Sequence, residues 1–310
     1  MADSAVFDSV FKTMIHKMPQ LIVPFVNESF GRTYPRDTPV VQLNDEHQTV
    51  RGTIVDDSVF RVGHKIYHIE CQSTHDSNMA VRMIEYDFAI ALEQTLAEGA
   101  PFEVNLPESC VMYLRSTSST PDMLEVKVNS PEGDSLIYHA RVVKVQSYST
   151  SQMLQKRLLI MLPYFLMRYE RVLGQIQGDD VRTAQLIAEC SEVRSGLERM
   201  AVEDGGTTQL QEMVELILKV SDYLLDSYED LRRKVDAAMG GEVLELLTDK
   251  LAKAEQAEKE ARERGLQQGL EQGLEQGRDQ GMDRLAAALA EKGVDKDLIA
   301  STIEALKSQA

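Results

Sequence analysis

Ile54-Val55-Asp56-Asp57-Ser58-Val59-Phe60-Arg61-Val62, then Gly63-His64, then Lys65-Ile66-Tyr67-His68-Ile69-Glu70-Cys71-Gln72-Ser73, is the stretch that decides how the chain is read. Two β-rich runs flank a glycine, which reads as a hairpin. Side chains alternate faces along a strand, so His68, Glu70 and Gln72 share one face and Tyr67, Ile69 and Cys71 the other. The second set faces a core. The first can bind metal, donate hydrogen bonds or orient water, with His68 reading as a strand-edge residue. An acid of the first run comes near Glu70 across the hairpin. Two carboxylates and an amide on one sheet edge are the parts of a Mg²⁺ site, because hard cations take oxygen ligands. Alternation does not choose between Asp56 and Asp57, since each lies among apolar neighbours.

Outward from this hairpin, residues 40–43 read as an earlier strand. Residues 4–30 read as helical, with Val6, Val10 and Met14 on one face and Phe7, Phe11 and Ile15 beside it. Pro19 and Pro24 each open a new helical turn, and Gly31 suits the position just past the end. Downstream, Asp76 or Ser77 caps a helix to about residue 98. Its face repeats Met79, Met83, Tyr86, Ile90 and Leu96, with Tyr86 core-facing by its ring. Arg82 and Tyr86, four apart, are neighbours on it. Residues 110–115 form a strand, parallel to part of the sheet because a crossover helix precedes it. Residues 123–128 and 136–145 form a further pair of strands, joined across Pro131 to Asp134.

From residue 149 the pattern is helical: 153–171 strongly apolar, then 179–200, 209–225 and 228–239. A charged helix over 242–264 leads into Gly265, Gly269, Gly273, Gly277 and Gly281, at a period of four. A last helix, capped by Asp295 or Asp297, runs through Ile303 and Leu306. The expected organisation is an α/β domain over 1–170, a helical region over 171–240, a charged helix and glycine tail over 241–284, and a small helical hairpin over 285–310.

The formal net charge is −17, and acidic residues outnumber basic ones in both halves, so nucleic-acid affinity must come from a local patch or a metal. No run reaches the ~18–20 apolar residues of a membrane span, so no membrane partner is expected. The N-terminus lacks a charged and then apolar leader. Cys71, Cys110 and Cys190 are widely spaced and show neither a metal nor a disulfide pattern, which points to a reducing, cytoplasmic setting.

The chain resembles the Rpn/YhgA-like recombination-promoting nucleases and transposases of the PD-(D/E)XK superfamily. The residues that carry the resemblance are Asp8-Ser9-Val10-Phe11-Lys12, Asp57-Ser58, Tyr67-His68-Ile69-Glu70-Cys71-Gln72-Ser73, Met79, and Arg82-Met83-Ile84-Glu85-Tyr86-Asp87, with the glycine tail as a compositional likeness. It covers residues 5 to about 165 and the tail, but not the helices over 175–260. The resemblance implies a restriction-endonuclease-like mixed sheet flanked by helices and a Mg²⁺-dependent DNA endonuclease, with Mn²⁺ as the alternative ion. Its ligands would be Asp57, chosen over Asp56 by the match, Glu70 and the backbone carbonyl of Cys71, with Glu28 as a further helix-borne candidate. Gln72 stands where the family's Glu-x-Lys carries lysine. It can orient water but is no strong base. Arg82, which can grip a phosphate bidentately, and Tyr86 are the substrate-binding candidates. The biology implied is that of mobile elements or phage defence. The rival reading is a catalytically weak nuclease-fold protein kept as a DNA-binding or oligomerisation module.

The tail carries its own expectation. Each glycine costs about 1 kcal/mol against alanine in a helix. Steps of four displace successive glycines by about 40° around the helix. Leu266, Leu270, Leu274 and Met282 trace a parallel stripe. Such a face allows close helix approach, as between two subunits of a homo-oligomer, whereas a flexible spacer is the plainer alternative.

Overall fold

The computed structural model describes residues 2–43, 46–49, 52–55, 58–94, 103–204 and 208–308. Residues 65–72 form β5 (Lys65–Gln72), an interior strand of a six-stranded sheet. β1 (Val40–Gln42) pairs antiparallel with β4 (Val59–Val62), and β4 pairs antiparallel with β5 across Gly63-His64. Gly63 is left-handed at φ +61°, and a Cβ there would stand 3.2 Å from the Tyr34 ring, so the turn requires glycine. After β5, α3 (Met79–Gln94) crosses over and β6 (Glu108–Tyr113) returns parallel to β5. β8 (Ser135–Lys144) adds parallel to β6, and β7 (Met123–Asn129) pairs antiparallel with β8. The order β1-β4-β5-β6-β8-β7 is a mixed sheet, and the chain is of the expected mixed α/β class.

The run 54–62 is not one strand. β2 (Glu46–Thr49) and β3 (Gly52–Val55) pair as a separate two-stranded ribbon, and the main sheet resumes at Val59. Asp-Asp-Ser between them is poor strand sequence, which accounts for the change of partner there. Asp56 and Asp57 lie outside the described residues, as do Leu96 and Glu98 of the expected long helix. Asp76 lies in the turn before α3, where its Oδ1 accepts the Asn78 backbone N–H at 2.9 Å; the cap position falls on Asn78, whose carbonyl accepts from the Val81 and Arg82 N–H groups, rather than on the expected Asp76 or Ser77.

The two sheet faces differ as alternation requires. Tyr67, Ile69, Cys71, Cys110, Met112 and Leu114 enter a large apolar core with α1 (Ala2–Lys17) and α2 (Ile22–Phe30). The opposite face, bearing His68, Glu70 and Gln72, lies under α3. A smaller cluster of Met79, Met83, Val111, Tyr113, Tyr138 and Ala140 fills the space there.

The helices after Ser149 share the first core. They are α4 (Thr150–Gln155), α5 (Leu173–Gln177), α6 (Asp180–Asp204), α7 (Thr208–Leu224) and α8 (Glu229–Met239). The expected helix over 153–171 is instead α4, a left-handed Arg157 at φ 54°, and a 3₁₀ segment Leu159–Arg168. Pro163 within it has no N–H for an α-helical bond, and its ring hinders regular α-helix, so the tighter winding takes over. Tyr164 donates to the Phe7 carbonyl at 2.9 Å, and the Phe7 and Tyr223 rings meet edge to face at 5.3 Å. Arg115, just past β6, makes two 2.6 Å bonds to Glu170. Residues Met1–Thr248 are accordingly one compact unit, and the boundary expected near residue 170 falls inside it.

Asp249–Ala310 is a second unit. It holds most of α9 (Gly241–Glu291), which is helical through the whole glycine repeat, and α10 (Lys296–Ser308). Between the alternatives Asp295 and Asp297, Asp295 is the cap: its Oδ1 accepts from the N–H groups of Asp297 at 3.0 Å and Leu298 at 3.3 Å. No described helix is long and apolar enough to cross a membrane.

At Gly196 α6 packs closely on α4. A Cβ there would stand 2.7 Å from Leu154 Cδ1. Alanine gains about 1 kcal/mol of helix propensity but overpacks the contact, which costs about 1–3 kcal/mol. Gly196→Ala should therefore lower stability in chemical denaturation, and the same change in a Leu154→Ala background should raise it.

Candidate active site

The site is built on β5. Glu70 lies on an interior strand between β4 and β6, and its side chain is 2% exposed. Its Oε2 accepts from Gln72 Nε2 at 2.9 Å, and its Oε1 lies 3.4 Å from His68 Nε2. Both neighbours sit two residues away on the same strand, so alternation alone brings the three side chains together.

His68 is where expectation and structure part. A strand-edge residue would be wet, but β5 is covered on both sides by paired strands and on this face by α3, and His68 is fully buried. Its Nδ1 donates to Asp87 Oδ1 at 2.6 Å. Asp87 in turn accepts at Oδ2 from Ser109 Oγ and Tyr138 OH, each at 2.6 Å. Ser109 is the register partner of His68 on β6, and Tyr138 comes from β8. The resulting path is Gln72–Glu70–His68–Asp87, ending in two hydroxyls, and it crosses three strands and one helix.

Burial alone would push the His68 imidazole toward its neutral form. The hydrogen bonds and charges of Asp87 and Glu70 outweigh that, and its pKa is pushed up to about 10. Burial likewise works against the Glu70 carboxylate, but the His68 bond and charge, Arg82 and Gln72 together hold its pKa below the usual range. The centre is thus a buried imidazolium between two carboxylates.

Arg82 and Tyr86 lie beside this centre. Arg82 Nε donates to Tyr86 OH at 3.2 Å, as their spacing on one helix face predicts, and its Nη1 lies 3.8 Å from Asp76 Oδ2. The Arg82 side chain is 37% exposed, and its charge acts on Glu70. Tyr86 is half-buried, with its ring 6.0 Å from that of His68. Cys71 points into the apolar core as its parity requires. Glu28 is held elsewhere: Lys156 Nζ at 2.6 Å and Tyr148 OH at 3.3 Å donate to it. Its helix packs on the face opposite Glu70, with Phe30 5.1 Å from the Tyr67 ring. The pairing of Asp57 with Glu70 falls outside the described residues.

Among the described residues no group of three His, Cys, Asp or Glu side chains is placed to hold a metal. The donors at Glu70 are nonetheless hard: a carboxylate and a neighbouring amide, with the one imidazole engaged on both nitrogens. That set suits Mg²⁺ or Mn²⁺ better than a softer ion, provided a second carboxylate joins it.

The residue missed on reading the sequence is Asp87. It was legible in principle: Met83 and Asp87 are four apart, and Ile90 follows three later, so an acid falls on the buried stripe of α3. A buried carboxylate needs a partner, and His68 was the titratable residue of the facing strand for which the reading had no role. Comparison of the chain with protein-family models, curated proteins and solved structures yields no match.

The shifts fix a pH dependence. His68 has a folded pKa raised from 6.5 to about 10, so its contribution to stability is complete below pH 6.5 and is lost as pH rises toward 10. Glu70 has a lowered pKa, so its contribution is present above 4.5 and is lost as pH falls. The denaturation midpoint should fall between pH 6.5 and 9.5 more steeply in the wild type than in Asp87→Asn. Parallel curves would contradict the buried ion cluster.

Proposed function

We propose that the chain is a metal-dependent DNA endonuclease of the PD-(D/E)XK type. The observation that carries this reading is the place of Glu70. It is a carboxylate on an interior strand that follows an antiparallel neighbour and precedes a crossover helix and a parallel strand, with Gln72 and Arg82 beside it. This is the element order that the resemblance of the His68-Ile69-Glu70-Cys71-Gln72 segment implies. Glu70, Asp57 and the Cys71 carbonyl would hold Mg²⁺. When bound, that ion would lower the pKa of a coordinated water and polarise the phosphoryl oxygen. Gln72 orients the attacking water by hydrogen bonding, since a neutral amide cannot take its proton. Arg82, partly exposed, grips a phosphate of the strand to be cut.

A second reading is favoured by one observation. Glu70 is almost wholly buried and already bonded to His68 and Gln72, an arrangement that also suits a retired nuclease fold serving as a DNA-binding or oligomerisation module. Plasmid nicking by the purified chain in Mg²⁺ separates the two. Glu70→Ala should lower the rate by about 10²-fold or more, Gln72→Ala by less, and Gln72→Lys should preserve or raise it. Wild-type protein without Mg²⁺-dependent nicking would leave the module reading.

The glycine tail completes the proposal as the element that pairs two copies on one duplex. Cβ atoms at Gly265, Gly269, Gly273, Gly277 and Gly281 would meet nothing within 4 Å among the described residues, so that face of α9 is open to a second backbone. Deleting residues 249–310 should lower the mass measured by light scattering to that of a monomer and shift products from double-strand breaks toward nicks. An unchanged mass would return the tail to a spacer.

A further inference from the structure

A glutamate that binds a cation must hold its carboxylate in one place, yet its three side-chain torsions leave it free to wander unless neighbours restrain it. Glu70 is pinched from both sides along its own strand, with His68 Nε2 toward Oε1 and Gln72 Nε2 on Oε2. Gln72 is itself partly exposed, so it is the looser of the two restraints. His68 has no such freedom. Its other nitrogen is bonded to Asp87 at 2.6 Å, and both oxygens of Asp87 are occupied, one by His68 and one by the hydroxyls of Ser109 and Tyr138. The ring therefore cannot turn without breaking bonds to α3, and through Asp87 to β6 and β8.

We propose that His68, braced by Asp87, is a positioning residue that holds the Glu70 carboxylate in its metal-binding orientation. The inference rests on the reading of Glu70 as a metal ligand. It makes Asp87, Ser109 and Tyr138 part of the same device, although none of them bonds to Glu70 among the described contacts. Outer partners of metal ligands act in this way elsewhere, and their loss commonly weakens metal affinity by about 10–100-fold.

The two nitrogens of His68 allow a test that a packing role would not pass. Asn at position 68 places its amide nitrogen near the position of Nδ1 and keeps a donor toward Asp87. Gln places it near the position of Nε2 and keeps a donor toward Glu70. Calorimetric titration of the full chain with Ca²⁺, which needs no cleavage, reads the effect directly, with the melting temperature recorded beside it. His68→Gln keeps the donor toward Glu70 but loses the Asp87 brace and should bind Ca²⁺ more weakly than wild type, while His68→Asn, which loses the donor toward Glu70, should bind more weakly still, by about 10–100-fold against wild type. Tyr138→Phe removes one donor to Asp87, leaves every contact of Glu70 in place and keeps the ring. It should weaken Ca²⁺ binding without abolishing it, which keeps the idea testable if a change at His68 prevents folding. Equal Ca²⁺ affinity in all folded variants, or tighter binding by Asn than by Gln, would overturn the positioning role and leave the nuclease reading intact. Wild-type protein that binds no Ca²⁺ would remove both.

Discussion

The contact between His68 and Asp87 is the constraint on which the site-bearing face of the sheet depends. Burying two carboxylates and an imidazolium is costly, because each ion gives up several kcal/mol of hydration. The cost is offset here by geometry: Asp87 accepts three hydrogen bonds on two oxygens, and each His68 nitrogen faces a carboxylate. Removing one partner would strand the others, at about 3–5 kcal/mol for a broken buried pair. The network therefore permits very little variation in where α3 lies over β5, β6 and β8. Apolar contacts between Met79, Met83, Val111 and Tyr113 tolerate small slips, whereas the polar bonds do not.

The other face of the sheet works by bulk rather than by direction. Tyr67, Ile69 and Cys71 enter a core continuous with α1, α2 and the helices up to α8. That core is large for a sheet with such short flanking strands: β1 and β4 have only three and four residues. The helices after Ser149 supply the apolar surface that the small strands cannot. Arg115 stitches the two parts, with a bidentate bond to Glu170 and its guanidinium 5.2 Å from the centre of the Phe7 ring. A precise polar face and a thick apolar one divide the tasks of holding a site and of keeping it folded.

Local rules made much of this legible. Period-two alternation placed His68, Glu70 and Gln72 on one face, the crossover helix implied the parallel β6, Gly31 and Gly63 marked element ends, and Asp295 was one of the two acids offered for the last cap. What local rules missed was set by distant partners. Nothing near residue 68 says that Asp87 will meet it, or that Tyr138 will in turn meet Asp87, because those contacts span 19 and 51 residues. The split of the run 54–62 depends on β2, whose sequence Glu-His-Gln-Thr carries no strong strand signal. The 3₁₀ stretch through Pro163 was hidden because apolar runs look alike in any buried conformation.

The reach of the late helices back to the start of the chain sets an order of events at the ribosome. One side of α1 is covered by the late helix α7: Lys17 bonds Glu212, Lys219 bonds Ser9, and the Phe7 ring meets Tyr223 edge to face. At about 5–20 residues per second, the roughly 200 residues between α1 and α7 take on the order of 10–40 s to emerge. Throughout that interval Phe7, Val10, Phe11 and Met14, all buried in the finished protein, have only the part of their cover that α2, β5 and the 3₁₀ segment supply. The nascent chain thus keeps one apolar side of α1 open until late in its synthesis, a ready handle for a holdase and a point of vulnerability to premature association between neighbouring chains.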